Sequence, residues 1–256
     1  MASFIDSLPP DLFDQTTLIS LASTVAILLA ALLLSRLVLD PNNTPSSLRF
    51  LFIWHAFDAL IHFFLEGSFV YHCLFSSMVV GKDGLIQGSV AGKPWEGFYP
   101  NPYNYLGRDS ANVVHGAQAG GENPFASLWK IYAKADRRWA GVDLTVLSLE
   151  LLTVFVVGPL CCLVCYDIAK KNARANIVMI ILATAEIYGG FMTFCPEWLT
   201  GDVNLDTSNW MYMWLYLFFF NTLWVFIPFY SIYYASADIM DAFRVRSAAF
   251  KAKKAN

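Results

Sequence analysis

Four ionisable side chains stand at His55, Asp58, His62 and Glu66, separated by steps of three, four and four residues. On an α-helix such steps place all four on one face. Further along, Asp143, Glu150 and Thr153 follow steps of seven and three, again one face. Glu186 and Tyr188 lie in a fourth apolar stretch, and Asn221 and Trp224 share a face in a fifth. Two carboxyls in a water-poor site do not both ionise easily, so one can serve as general acid while the other serves as base. His62, one turn from Glu66, can share or relay its proton. Trp224 offers a ring face that attracts a cation. An acid, a base and an aromatic wall suit protonation of an alkene, a carbocation, and loss of a proton elsewhere.

These groups matter because of where they sit. The 256-residue chain is 57% apolar and only 14% charged, whereas soluble domains carry about 25% charged residues. That excludes a disordered chain, a disulfide scaffold and an ordinary cytosolic enzyme. The net charge of −3 and the lack of a basic stripe exclude a nucleic-acid partner. Five stretches are long and apolar enough to cross a bilayer, which needs about 20 such residues: Leu18–Leu39, Phe50–Leu74, Ala140–Tyr166, Asn176–Cys195 and Trp210–Tyr234. The fold class expected is therefore an all-α membrane protein, five transmembrane helices enclosing an apolar cavity. Ionisable residues inside such spans are costly and face the bundle interior by default. Glu66 falls about 24 Å along its span and Glu150 about 15 Å along the antiparallel one. His62, Glu66, Glu150 and Asn221 are thus expected to meet in one layer.

Basic residues set the orientation. Arg36 and Arg49 flank the first connection. Lys170, Lys171 and Arg174 occupy the third, and Arg244, Arg246, Lys251, Lys253 and Lys254 the tail. The fourth connection, Pro196 to Asn209, has none. This predicts a luminal N-terminal segment 1–17, a membrane domain 18–234 and a cytosolic basic tail 235–256. Lys253-Lys254 form a dilysine retrieval pattern, which points to the endoplasmic reticulum. The sequon at Asn42-Asn43-Thr44 then faces the cytosol and stays unmodified. The long second connection, about 75–139, holds seven basic residues, but loops this long largely escape the rule. It reads as an insertion, with a lid as the alternative. It ends in an amphipathic helix, Ser127 to Arg138, with Leu128, Ile131 and Tyr132 on one face. His72 reads as interfacial and His115 as an isolated loop residue.

The bland readings compete with the chemical ones. A buried Glu–His pair can simply tie helices together, Asp143 can cap a helix, and Asn221 can bridge two helices. Cys161-Cys162-x-x-Cys165 lacks a second pair, so the cysteines read as small packing residues, with palmitoylation an alternative. No spacing matches a recognised zinc motif, so no metal is expected, although Asp58, His62 and Glu66 stay conceivable as ligands. No phosphate loop or dinucleotide motif occurs, and no cofactor is expected.

Taken together, several segments resemble the emopamil-binding protein family, the EXPERA-domain sterol isomerases. They are Leu60-Ile61-His62-Phe63-Phe64-Leu65-Glu66-Gly67, then Leu128-Trp129-Lys130-x-Tyr132-Ala133-Lys134-x-Asp136-x-Arg138, Asp143, Glu150-x-x-Thr153, Gly158-Pro159, Ile187-Tyr188-Gly189 and Asn221-x-Leu223-Trp224-x-x-x-Pro228. The resemblance runs from about Trp54 to Pro228, outside the enlarged loop 81–123. It implies a five-helix endoplasmic-reticulum protein that moves a sterol ring double bond from the 8 to the 7 position. It also implies that the residues matching His62, Glu66 and Glu150 carry the proton transfers. Those matching Thr153, Asn221 and Trp224 shape the pocket, and Tyr188, Asp58 and His55 are expected beside them as substrate contacts. The partners implied are a sterol or related terpenoid, membrane lipid and cationic amphiphilic inhibitors; a homodimer stays open. His55, Asp58 and Glu186 are ionisable where the family pattern is apolar or amide, and Ser68 and Gly190 also depart from it. These departures keep two alternatives in view: another terpenoid as substrate, or a non-enzymatic sterol binder.

Overall fold

The computed structural model describes residues 9, 11–81, 97–107 and 112–255. Most of the expected N-terminal luminal segment, and loop residues 82–96 and 108–111, lie outside the described residues. Among the described residues, five helices are long and apolar enough to cross a membrane. They are α1 (Gln15–Val38), α2 (Ser46–Phe75), α4 (Leu144–Ala169), α5 (Arg174–Thr200) and α6 (Met211–Lys254). A short helix, α3 (Pro124–Tyr132), precedes α4, and strands β1 (Ser77–Val79) and β2 (Val113–His115) pair antiparallel in the long connection. The chain is a multi-pass helical membrane protein.

Local chemistry sets the helix ends. Asp14 caps α1 through Thr16 N and Thr17 N, and Asp143 caps α4 through Thr145 N and Val146 N at 2.9 and 3.0 Å. Asn123 caps α3, with Pro124 in its first turn. The amphipathic helix therefore starts a few residues before its predicted position, and its buried face includes Ala126 and Trp129 beside Ile131. Gly201, at φ 79°, ends α5 in the left-handed conformation. The helix of the fifth span does not stop at Tyr234: it runs on from Phe220 to Ala255. The segment after Pro228 has no Gly or Pro to break it and is rich in Ala, Arg and Lys, which favour helix.

Three spans widen locally to π-helix, at Ile61–Glu66, Thr153–Val157 and Met211–Phe219. Such widening is rare and frequently marks a functional site. In α4 it directly precedes Gly158-Pro159, where proline offers no N–H to the turn before it. Two of the wide segments, in α2 and α4, pack against each other. Gly158 permits this, because a Cβ there would stand 2.9 Å from the Phe63 ring.

The helices pack in order, α1 on α2, α2 on α4, α4 on α5 and α5 along α6. The bundle closes where α6 returns to α2 through Trp54 and Trp224, whose ring centroids are 5.3 Å apart. The described part of the long connection packs over one end of the bundle. Tyr105 donates to Cys73 O at 2.9 Å, Gly116 N to His72 O at 3.3 Å, and Tyr99 to Asp143 Oδ2 at 3.2 Å. His72 is buried beneath it and paired with Ser76 Oγ at 2.7 Å. His115 is also buried, edge-on to the Tyr105 ring at 5.2 Å.

The cap is locked by ions. Asp136 and Arg138 are both buried, and Arg138 meets Asp136 through two parallel hydrogen bonds, Nε to Oδ1 at 2.9 Å and Nη2 to Oδ2 at 2.6 Å. Its Nη1 donates to Thr193 O at 2.6 Å and lies 3.5 Å from Glu197 Oε1. Burial opposes the guanidinium charge, but the Asp136 hydrogen bonds outweigh it and hold Arg138 above its ordinary pKa. Glu197 in turn accepts from Asn204 N and Nδ2 at 2.9 and 2.7 Å, so the turn at Asp136–Arg138, α5 and the following connection form one unit.

Candidate active site

The site is a row of buried polar groups across four spans. At its centre is His62, 2% exposed, in the π-helical part of α2. Its Nδ1 pairs with Glu66 Oε2 at 2.5 Å. Its Nε2 lies 3.1 Å from Asp58 Oδ1, off hydrogen-bond alignment. One imidazole therefore stands between two carboxyls, one turn away on either side.

Each carboxyl meets another from a neighbouring helix. Glu66 faces Glu150 of α4, and Asp58 faces Glu186 of α5. Glu150 is 8% exposed, and its Oε2 accepts from Thr153 Oγ1 at 2.9 Å. Asp58, fully buried, accepts from Trp224 Nε1 at 2.7 Å and from Cys161 Sγ at 3.2 Å. The row thus sets one imidazole between two pairs of facing carboxyls.

The expected layer assembles in part. His62, Glu66, Glu150 and Thr153 come together, and Asp58 and Trp224 join them from the other side of His62. Asn221 is placed elsewhere: its Nδ2 donates to Tyr132 Oη at 3.1 Å and to the carbonyls of Tyr216 and Leu217, both at 2.9 Å. It supports the widened turn of α6 and ties it to α3. His55 turns back to Leu51 O at 2.7 Å. Tyr188 is 64% exposed on the outside of α5 and stands apart from the row. The sequence held the reason: Tyr188 is two residues from Glu186, and residues two apart do not share a helix face. Glu186, an in-span acid outside the expected layer, lies beside Asp58, and Cys161, which gives no signal beyond its place in an apolar span, donates to the same carboxyl. Asp143 caps its helix, as the bland reading had it.

A cavity of about 330 Å³ lies off this row, lined by Leu34, Val38, Phe52, Cys165, Tyr166, Ala169 and Lys170. None of the clustered carboxyls lines it. Asp58, His62 and Cys161 offer ligand atoms that all lie within 4.8 Å of one another, a spacing that a metal ion could also use.

Five apolar helices built around buried carboxyls and an imidazole define a multi-pass membrane protein with ionisable side chains in its interior. Residues 124–235 match the family described as EXPERA (EXPanded EBP superfamily). A probable 3-beta-hydroxysteroid-Delta(8),Delta(7)-isomerase of Arabidopsis thaliana is 29% identical over 180 residues, 70% of this chain and 61% of that protein. The 3-beta-hydroxysteroid-Delta(8),Delta(7)-isomerase of Cavia porcellus is 31% identical over 109 residues, 42% of this chain and 48% of that one. An isomeliandiol synthase of Melia azedarach is 31% identical over 133 residues, 52% and 56% of the two chains. Residues 124–235 are thus similar to this family, and the chain spans about half to three-fifths of the length of these relatives.

Proposed function

We propose that the protein is an isomerase that moves a ring double bond of a sterol from the 8 to the 7 position. The observation that carries this reading is the His62–Glu66–Glu150 row, with its 2.5 Å imidazole–carboxyl contact buried between two spans. Glu66, supplied through His62, gives its proton to one alkene carbon. The π electrons form the new C–H bond and leave a carbocation on the neighbouring carbon. The Glu150 carboxylate removes a proton from the adjacent carbon on its far side, and that C–H pair becomes the new double bond. One proton enters and one leaves, so atoms and electrons balance without a co-reactant. The ionised carboxylates and the Trp224 ring favour the cationic intermediate. Cationic amphiphiles that mimic it would compete with substrate.

A second substrate reading has its own support. Relatives in Melia azedarach and Citrus sinensis carry the names isomeliandiol synthase and protoglabretal synthase, and the additional buried pair Asp58–Glu186 gives this site polar groups that another terpenoid could engage. A non-enzymatic binder is disfavoured, because it would have no use for two carboxyls held against each other in the bilayer.

Expression in cells lacking sterol 8,7-isomerase, followed by sterol mass spectrometry, tests the reading. Conversion of the accumulated 8-ene sterols to 7-ene sterols is expected. Their persistence, with the protein present in the membrane, would overturn it. We propose that the end bearing Arg36, Lys170 and Lys254 faces the cytosol and that the protein resides in the endoplasmic reticulum, a reading supported by the basic residues beside the spans and by Lys253-Lys254. Attachment of a glycan at Asn42 would reverse that orientation.

A further inference from the structure

Proton transfer at Glu66 and Glu150 leaves the hydroxyl of a sterol without a partner, and one face of α5 offers it one. Ala183, Glu186, Gly190, Thr193 and Glu197 follow steps of three, four, three and four residues, which keep them on one side of the helix. Ala183 and Glu197, at the two ends of that run, are buried, whereas Tyr188, Phe191 and Trp198 are exposed on the other side. The run therefore faces the bundle interior. At Gly190 that face is open: a Cβ there would meet nothing within 4 Å among the described residues. Helical Cβ atoms lean toward the N-terminus, so the open volume lies on the Glu186 side of Gly190. One residue earlier, a Cβ at Gly189 would touch Leu149 of α4 at 3.9 Å. Leu149 precedes Glu150, so the open stretch lies at the height of that carboxyl.

The polar groups bordering the stretch are unequal. Toward the cap, Thr193 Oγ1 donates to Gly189 O at 2.9 Å, Thr193 O accepts from Arg138 at 2.6 Å, and Glu197 accepts from Asn204 at 2.7 Å. In the other direction Glu186 stands one turn from Gly190, about 6 Å along the axis. Its Oε1 is buried and has no hydrogen-bond donor among the described residues. A buried acceptor left in this state is costly unless a bound molecule supplies the donor.

We propose that this stretch of α5 is the bed for the fused rings of the substrate, and that Glu186 Oε1 accepts a hydrogen bond from its ring hydroxyl. The flat ring face lies against Gly189 and Gly190, where no Cβ holds it away, with the reacting double bond beside Glu150. The hydroxyl, one fused ring from that double bond, reaches Glu186 and points toward the end of the bundle where α5 begins. The ligand class is a flat polycyclic alcohol. Glu186 is then a specificity residue: it selects for the hydroxyl and sets the ring system in one orientation.

The inference rests on the isomerase reading for the placing of the double bond, so turnover and binding are measured separately. Sites built around a substrate hydroxyl reject the analogue lacking it by about 10⁴–10⁵-fold. The unaltered protein is expected to convert an 8-ene sterol with kcat/KM at least about 100-fold above that for its 3-deoxy analogue. Glu186→Leu is expected to bring that ratio below about tenfold, whereas Glu186→Gln, whose amide oxygen still accepts, is expected to keep it. The ratio is independent of how much enzyme is folded. Gly190→Leu, which fills the bed, is expected to raise KM at least about tenfold with a smaller change in kcat. Equal efficiency of the unaltered protein on both sterols, or an unchanged ratio in Glu186→Leu, would overturn the hydroxyl assignment. An unchanged KM in Gly190→Leu would overturn the bed. The second arm measures equilibrium binding of both sterols, tritium-labelled, to the purified protein in detergent, and the same order of affinities is expected. Hydroxyl-dependent binding that Gly190→Leu weakens, in a protein that converts neither sterol, would sink the isomerase reading and leave this one standing. Binding that neither Glu186→Leu nor Gly190→Leu alters would overturn this one whatever the turnover.

Discussion

The Trp224 indole of the last span donates to Asp58 Oδ1 of the second at 2.7 Å, joining residues 166 positions apart. The bond closes the bundle and fixes one flank of His62. It is a buried hydrogen bond to a carboxyl, and losing the donor would leave that carboxyl short of a partner, at a cost of about 1–3 kcal/mol. Trp224→Phe keeps the ring packing on Trp54 and removes only the donor. It is expected to lower the detergent-solubilised melting temperature and to reduce turnover. An unchanged melting temperature and rate would show that the bond supports neither.

Glu66→Gln and Glu150→Gln keep size and hydrogen-bonding capacity but cannot cycle a proton. General acid–base groups contribute about 10²–10⁴-fold in rate. Each variant is expected to lose conversion by at least that lower bound while inserting and melting normally. Thr153→Val, which frees Glu150 Oε2 of its 2.9 Å donor, is expected to have a smaller effect, about tenfold. Sterol conversion assays on matched protein amounts check all three, and near-normal rates in either glutamine variant would remove that residue from proton transfer.

Arg138 is 1% exposed, and its partners leave no free face for substrate. Removing one member of a buried ion pair costs about 3–5 kcal/mol, because the other charge stays behind. Arg138→Ala is therefore expected to destabilise the cap and lower the yield of folded protein. Asp136→Ala is expected to do the same. Thermal unfolding of the two single variants and the double variant should show strong non-additivity; additive losses would mean the residues act separately.

Gly158 of α4 lies against Phe63 and His62 of α2 beside the site. Gly158→Ala forces a Cβ to within 2.9 Å of the Phe63 ring. Overpacking of this kind costs about 1–3 kcal/mol. The variant is expected to melt lower and to lose activity, since it separates the helices that carry Glu66 and Glu150. The melt and the rate should fall together; a stable variant with full activity would show that the ring can move aside.

Asp11, before the first span, accepts from Lys134 at 2.8 Å and from Tyr212 at 2.7 Å. Those hydrogen bonds hold its carboxyl below the ordinary 3.8. A lowered folded pKa stabilises above the unfolded value and is lost as pH falls through the folded one. The pair is partly exposed, so its contribution stays within about 1 kcal/mol. Asp11→Asn is expected to destabilise slightly at neutral pH and to match the unaltered protein at pH values well below 3.8. Melting curves at both ends of that range check it.

The sequence by itself determined the elements and the local pairings. Scarcity of charge and five apolar runs specify the spans, because a bilayer accepts little else. The step of four between His62 and Glu66, and of three between Glu150 and Thr153, places each pair within reach on its own helix. What lay across helices was not legible. Asn221 and Trp224 share a face, yet Trp224 reaches Asp58 while Asn221 turns to Tyr132 and its own backbone. That choice depends on how α6 is rotated against α2 and α3. Rotation is set by ring packing around Trp54 and by three π-helical segments, each of which shifts the register of the residues beyond it. Periodicity read at 3.6 residues per turn carries no trace of such shifts. The tertiary structure alone decided that His62 stands between two carboxyl pairs rather than beside one.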